Sequence, residues 1–228
     1  MHGIGVLLVI LLASSIPAIA VFGWFRIARY PVSTAQFSAF LLAGAASFFP
    51  ALVFQRLLAT GNGLMLADKQ GLLKEIFIRI AFTEELSRLL VLAVLFLVIR
   101  RLKPSMPEEK TVVTMAVAGL VAGLGFAVLE SAVYGASVPV NALFRAFTSA
   151  PLHGACGTRV GIALGMFRQS PVLSVFRFLA AVVIHGVYNF MLLIPGTFPL
   201  IGATLLALSA LASSILAIRG GMRETAQE

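Results

Sequence analysis

Six ionisable side chains lie inside otherwise apolar stretches of this chain: Glu84, Glu85, Arg88, Glu130, His153 and His185, with the amide Asn189 beside the last of them. Carboxylates and imidazoles in one apolar setting support two kinds of chemistry. They can hold a divalent metal, or they can activate water directly, with a carboxylate as base and a histidine as acid or oxyanion donor. Arg88 follows the double glutamate at a helical spacing. At about 100° per residue it stands about 40° round from Glu84, between the two carboxylates. A structural salt bridge accounts for one glutamate of the pair and leaves the other for function. His185 and Asn189 are four apart and share one helical face. No His-Glu-x-x-His pattern is present, so spacing alone names no metal. A Ser-His-Asp triad is disfavoured, since Asp68 is the only aspartate and no serine sits in a nucleophile-elbow pattern.

Each of these residues needs a reason, because an ionisable group at the centre of a membrane span costs roughly 2.5–3.5 kcal/mol on the insertion scale. The chain is a membrane protein by composition: 60% of its 228 residues are hydrophobic and 11% charged, against roughly 45–50% and about 25% in soluble domains. Mean hydropathy is +1.01. Nine carboxylates and three histidines are the whole supply of acidic and imidazole groups. That excludes a nucleic-acid binder, a disulfide scaffold, a disordered regulator and a Rossmann-type enzyme. The net charge of +8 reads as basic residues flanking spans, not as a nucleic-acid surface. Cys156 is the single cysteine and reads as a small packing residue.

A span needs about 20 mostly apolar residues. Seven segments qualify, near 4–25, 36–58, 80–99, 111–134, 139–167, 172–194 and 199–218. The expected fold is therefore all-α: a polytopic helix bundle forming one integral-membrane domain over 1–228, with its catalytic core within about 80–193. The first segment ends near an A-x-A-like site but lacks a basic n-region, and we read it as a span. Arg26, Arg29, Arg100, Arg101, Lys103, Lys110, Arg168, Arg219 and Arg223 all fall on one side if the spans alternate. The positive-inside rule makes that side cytoplasmic and the amino terminus external. Residues at about 62–79 mix apolar and charged side chains, with Glu75 and Arg79 spaced as an ion pair, and predict an amphipathic helix in the outer interface.

Glu84 and Glu85 then fall near the outer end of the third span, with Glu130 at a comparable depth in the fourth. Gly119 and Gly123 form a small face ahead of Glu130, and Gly157, Gly161 and Gly165 follow His153 at steps of four. Such stripes let helices approach closely, so His153 should face the bundle interior. Pro104 and Pro107 mark one loop, Pro195 and Pro199 another, and no long internal repeat supports a repeat-based transporter.

At these residues the chain resembles the PrsW family of intramembrane proteases, related to the CAAX-processing and bacteriocin-immunity protease superfamily. A Glu-Glu-x-x-Lys motif is matched by Glu84 to Arg88, with arginine for lysine. Gly-Phe-x-x-x-Glu is matched by Gly125 to Glu130. A later stretch looks like Arg145, Pro151, His153 and Gly161, and His-x-x-x-Asp or Asn is matched by His185 and Asn189. The order and approximate separations agree from about residue 80 to 193. The resemblance implies a multi-helix metalloprotease in the cell membrane that cuts a membrane-anchored anti-sigma factor as the first step of regulated proteolysis. Arg88 in place of lysine keeps the charge and adds a planar fork able to clamp two carboxylates. Asn189 in place of aspartate leans toward the CAAX-protease relatives, whose glutamate acts on water without an established metal.

The expectation is an intramembrane endopeptidase working on a membrane-anchored protein in the outer half of the bilayer, with no nucleic-acid partner. Glu84 or Glu85 activates water and Arg88 orients the pair. His153 and His185 bind metal or stabilise the oxyanion, Asn189 holds the tetrahedral intermediate or orients His185, and Glu130 is a further ligand or a supporting partner. Zn2+ is the suspected cofactor, with Glu85, Glu130, His153 and His185 as its expected donors. The alternatives are a CAAX-protease-like glutamate peptidase without metal, and a proton-coupled transporter using the buried Glu and His groups as a relay.

Overall fold

The computed structural model describes residues 2–59, 69–135 and 139–227, and every element among them is helical. In chain order these are α1 (His2–Ile27), α2 (Thr34–Leu57), α3 (Lys69–Lys74), a π-helical stretch (Glu75–Phe82), α4 (Thr83–Leu102), α5 (Glu108–Gly135), α6 (Pro139–Met166), α7 (Pro171–Leu193) and α8 (Thr197–Gln227). Each of the seven apolar segments is a helix. Five of these helices are long and apolar enough to cross a membrane: α1, α2, α5, α7 and α8. The other two, α4 and α6, carry the ionisable residues in question. Glu84, Glu85, Arg88, Arg100 and Arg101 lie in α4, and His153 and Arg159 lie in α6.

Local chemistry sets several boundaries. Ser33 caps α2 in a reciprocal box: its hydroxyl accepts from the Gln36 amide at 3.1 Å, and the Gln36 side chain accepts from the Ser33 N–H at 3.0 Å. Pro104 and Pro107 fall between α4 and α5, as their inability to continue a helix requires. Between α7 and α8 the chain turns through Gly196 at φ +123°, a conformation that side chains with a Cβ rarely adopt.

The expected amphipathic helix at about 62–79 is present from Lys69 onward. Its lead-in, including Asp68, lies outside the described residues. From Lys69 onward the chain is helical without a break through the π stretch into α4. No proline interrupts it before Pro104, and the wider π turns accommodate the change of face between the charged segment and the span. The Glu75–Arg79 ion pair forms as the spacing predicts.

Two helices make the centre. Helix α5 is buried along most of its apolar length, and α6 packs along it through the glycine stripes. A Cβ on Gly119 would run into the Gly157 carbonyl, one on Gly161 into the Met115 carbonyl, and one on Gly123 into the carbonyl of His153. These are backbone-to-backbone approaches that only glycine permits. Cys156 is buried at this centre, its thiol against the Ala181 carbonyl at 3.5 Å. The remaining helices surround the pair and turn leucine, valine, isoleucine and phenylalanine outward. Leu12, Leu42, Val94, Phe176 and Leu205 are each more than half exposed, as a lipid-facing belt requires.

One end of the bundle collects most of the basic residues that flank helices, with Arg56, Lys69, Lys74 and Arg79 at the other. Arg219 of α8 lies over the Trp24 ring of α1 at 5.4 Å, Arg100 donates to the Met106 carbonyl at 3.0 Å, and Gln169 donates to Glu108 at 3.3 Å. The glutamate and histidine positions lie toward the other end of α4, α5, α6 and α7.

Candidate active site

Helix periodicity and close packing bring four helices to one point. In α4 the sequence Glu84-Glu85-Leu86-Ser87-Arg88 turns both carboxylates and the guanidinium inward, and all three are buried. Helix α5 supplies Glu130, α6 supplies His153 and α7 supplies His185, and these are buried as well. The approach of α6 at Gly123 sets the level of His153 two turns from Glu130 on α5.

Hydrogen bonds order the cluster. Arg88 is ion-paired with Glu85 and also reaches Nδ1 of His153 with Nη2 at 3.1 Å. A guanidinium only donates, so Nδ1 of His153 accepts, and the ring proton of a neutral His153 sits on Nε2. That nitrogen meets Glu130 Oε2 at 2.8 Å, and Ser149 donates to the same oxygen at 3.2 Å. His185 is held in the complementary sense: its Nδ1 donates to Glu85 Oε1 at 2.8 Å. Nε2 of His185 is thereby turned toward Glu84 Oε2 at 3.6 Å, outside hydrogen-bond reach. Glu84 Oε2 is buried and makes no hydrogen bond among the described residues. Its other oxygen accepts from the Gln55 side chain of α2 at 3.0 Å.

Aromatic contacts brace the same groups. The Arg88 guanidinium lies 4.8 Å from the centre of the Phe126 ring, Phe126 packs on His153 at 5.0 Å, and the two histidine rings meet edge to face at 4.9 Å. Phe126 therefore supports both partners of the Arg88–His153 contact through a cation–π and a ring contact.

Six of the seven expected residues thus share one cluster. Asn189 lies one turn further along α7, half-buried, and no hydrogen bond joins it to the cluster among the described residues. The residue that packs inward there is Tyr188, whose hydroxyl shares a hydrogen bond of 2.7 Å with Thr148. Arg145 lies within α6, and its side chain is outside the described residues.

One group has the makings of a metal centre. A ligand atom from each of Glu84, His153 and His185 lies within 4.8 Å of the others, all three residues buried. The expected donors and this group share the two histidines and differ in the carboxylate. Glu85 stands behind His185 in the arrangement in which a carboxylate fixes the tautomer and orientation of a metal-binding imidazole. Both nitrogens of His153 are engaged, Nδ1 by Arg88 and Nε2 by Glu130, so His153 offers a donor only where Arg88 gives up Nδ1. The unpartnered Glu84 oxygen facing an imidazole nitrogen is the local fit for a cation: two lone-pair-bearing atoms face each other with no donor between them.

Gln55 and Ser149 belong to the site without having been singled out by their sequence, and Phe126 stood out only as the phenylalanine of the Gly-Phe-x-x-x-Glu match. Gln55 stands next to Arg56 at the end of an apolar run, where an amide reads as a span end entering the interface. Only the packing of α2 on α4 brings it to Glu84.

Comparison with known proteins bears on the same stretch of chain. Residues 33–217 match the family described as PrsW family intramembrane metalloproteases, a range that contains every residue of the cluster. No curated protein and no solved structure matches the chain.

Proposed function

The chain belongs to the PrsW family of intramembrane metalloproteases, and on that premise we propose that the buried cluster is its hydrolytic centre, with Glu84 and His185 holding the metal and His153 joining them through Nδ1 once Arg88 releases it. The observation that carries this reading is the convergence of those three residues around a carboxylate oxygen that has no hydrogen bond. Two imidazoles and one carboxylate are a donor set suited to catalytic zinc, with a further position left for water or substrate. When bound, such an ion polarises the scissile carbonyl and makes water a competent nucleophile at neutral pH.

The chain's own groups supply the rest. Glu85 holds His185 through its Nδ1–H and is itself kept charged by Arg88, since a carboxylate in an apolar interior needs a compensating cation. Both oxygens of Glu85 are thereby taken, so we assign it to hold His185 from behind in the tautomer whose Nε2 faces the site. Glu130 and Ser149 hold His153 in its Nε2–H form. Asn189 is assigned as the donor to the tetrahedral oxyanion, for which its freedom from the cluster's hydrogen bonds leaves it available.

The basic end of the bundle supports a cytoplasmic assignment for that end, which makes seven spans with an external amino terminus the orientation we favour. The cluster then works in the outer half of the bilayer. A membrane-anchored regulatory protein cut at that face, such as an anti-sigma factor, is the substrate class we propose.

Purified full-length protein in detergent tests this directly. Bound zinc should be stoichiometric in the unaltered chain, lost in Glu84→Gln and His153→Ala, and retained in Glu85→Gln. All three variants should lose cleavage of a membrane-anchored substrate, Glu85→Gln by about 10–100-fold, the scale of losing a partner that orients a metal-binding side chain. Unimpaired cleavage by metal-free protein would overturn the metal assignment, and full activity of Glu85→Gln would overturn its role in holding His185.

A further inference from the structure

Glu84 has two oxygens, and the structure treats them differently. Oε1 accepts from Gln55 Nε2 at 3.0 Å, while Oε2 faces His185 Nε2 and has no hydrogen bond. Gln55 sits in the last turns of α2, 29 positions before Glu84 in the chain. It is itself anchored: its backbone carbonyl accepts from Arg79 Nη1 at 3.3 Å, and Arg79 is ion-paired with Glu75 one turn earlier. The π-helical stretch therefore grips the main chain of Gln55, and the side chain of Gln55 grips Glu84.

We propose that Gln55 is a positioning residue for Glu84: it occupies one carboxylate oxygen with a neutral donor so that the other is presented to the histidines. The proposal rests on the assignment of Glu84 as a metal donor. The choice of an amide has a physical reason. A lysine or arginine at the same place would also orient Glu84, but its cation would offset the negative charge that an incoming metal requires. An amide fixes the rotation of the carboxylate and leaves its charge available. Without that bond the carboxylate would be free to turn within its pocket, and the ordering cost would fall on metal binding.

The isosteric pair Gln55→Met and Gln55→Glu provides the test, read in the full chain purified in detergent. Zinc affinity is measured by competition with a chromophoric chelator, alongside thermal unfolding, kcat and KM. Gln55→Met should weaken zinc binding by about 10–100-fold, the scale of losing a partner that orients a metal-binding side chain. Its unfolding temperature in the metal-free form should fall only by the cost of one lost hydrogen bond to a charged group, and at limiting zinc its kcat should fall with KM unaltered. Gln55→Glu, which sets a second carboxylate against Glu84, should lose zinc affinity at least as far. Zinc affinity and kcat equal to those of the unaltered protein in Gln55→Met, or in Gln55→Glu should the first variant misfold, would overturn the proposal. Glu84→Gln separates the two levels of the argument. If it loses zinc and the Gln55 variants do not, only the role of Gln55 falls; if it keeps zinc, the donor assignment falls and takes that role with it.

Discussion

The two sides of the cluster are built by different means. On one side α5 and α6 meet backbone to backbone: Gly119 against the Gly157 carbonyl, and Gly123 against the carbonyl of His153 itself. On the other side α4 and α7 are joined through side chains, by the Glu85–His185 hydrogen bond and by Phe77 of the π stretch lying against Gly186. A backbone seam has no rotamers to adjust, whereas a side-chain seam can yield. Glu130 and His153 thus stand on the fixed side, and Glu84, Glu85 and His185 on the adjustable side. On the proposed reading a substrate must reach this buried cluster, and of the two seams the side-chain one is able to yield.

Three substitutions probe that contrast, in decreasing order of expected effect. Gly119→Val should prevent folding, because its side chain would have to displace the α6 main chain. Size-exclusion chromatography in detergent should show aggregate, and a monodisperse, active variant would break the claim that this seam is rigid. Arg88→Met should come next. It leaves Glu85 buried without its cation, a defect of about 3–5 kcal/mol, to be read by chemical unfolding in detergent. Arg88→Lys should regain most of that stability and keep activity, since an ammonium can pair with Glu85 and leaves Nδ1 of His153 free. A lysine variant as unstable as Arg88→Met would show that the pair with Glu85 needs the guanidinium fork. The smallest effect belongs to Gly186→Ala, at about 1–3 kcal/mol from overpacking against Phe77. Here a second change, Phe77→Leu, should recover most of the loss. A double-mutant cycle with no coupling energy would mean that this side does not yield through that ring.

Glu75 and Arg79 show local spacing read correctly: four residues apart, they pair as helical neighbours do, and the helix expected around them is present from Lys69 onward. That it runs on through π turns into α4, with Phe77 against Gly186 of α7, is a tertiary feature that no local pattern encodes. The seven apolar helices, the glycine stripes and the loop prolines were legible for the opposite reason. Each rests on a short-range rule of hydropathy, periodicity or backbone sterics.

The site divides in the same way. Glu84, Glu85, Arg88, Glu130, His153 and His185 stood out because burying an ionisable group in an apolar span is costly and such residues are few in this chain. Their residue types carried the chemistry, and their order carried the family. Which carboxylate faces the histidines and which stands behind them was not legible, because Glu84 and Glu85 are adjacent and differ only in the direction each points from α4. That direction matters only once α2, α5, α6 and α7 are in place. Gln55 takes one oxygen of Glu84, Arg88 and His185 take those of Glu85, and Glu130 turns to His153. Sequence by itself determined that this is a helical membrane protein with a small set of buried acids and imidazoles. Tertiary structure alone decided their division of labour, because hydrogen-bond partners drawn from five helices are a property of packing and not of spacing along the chain.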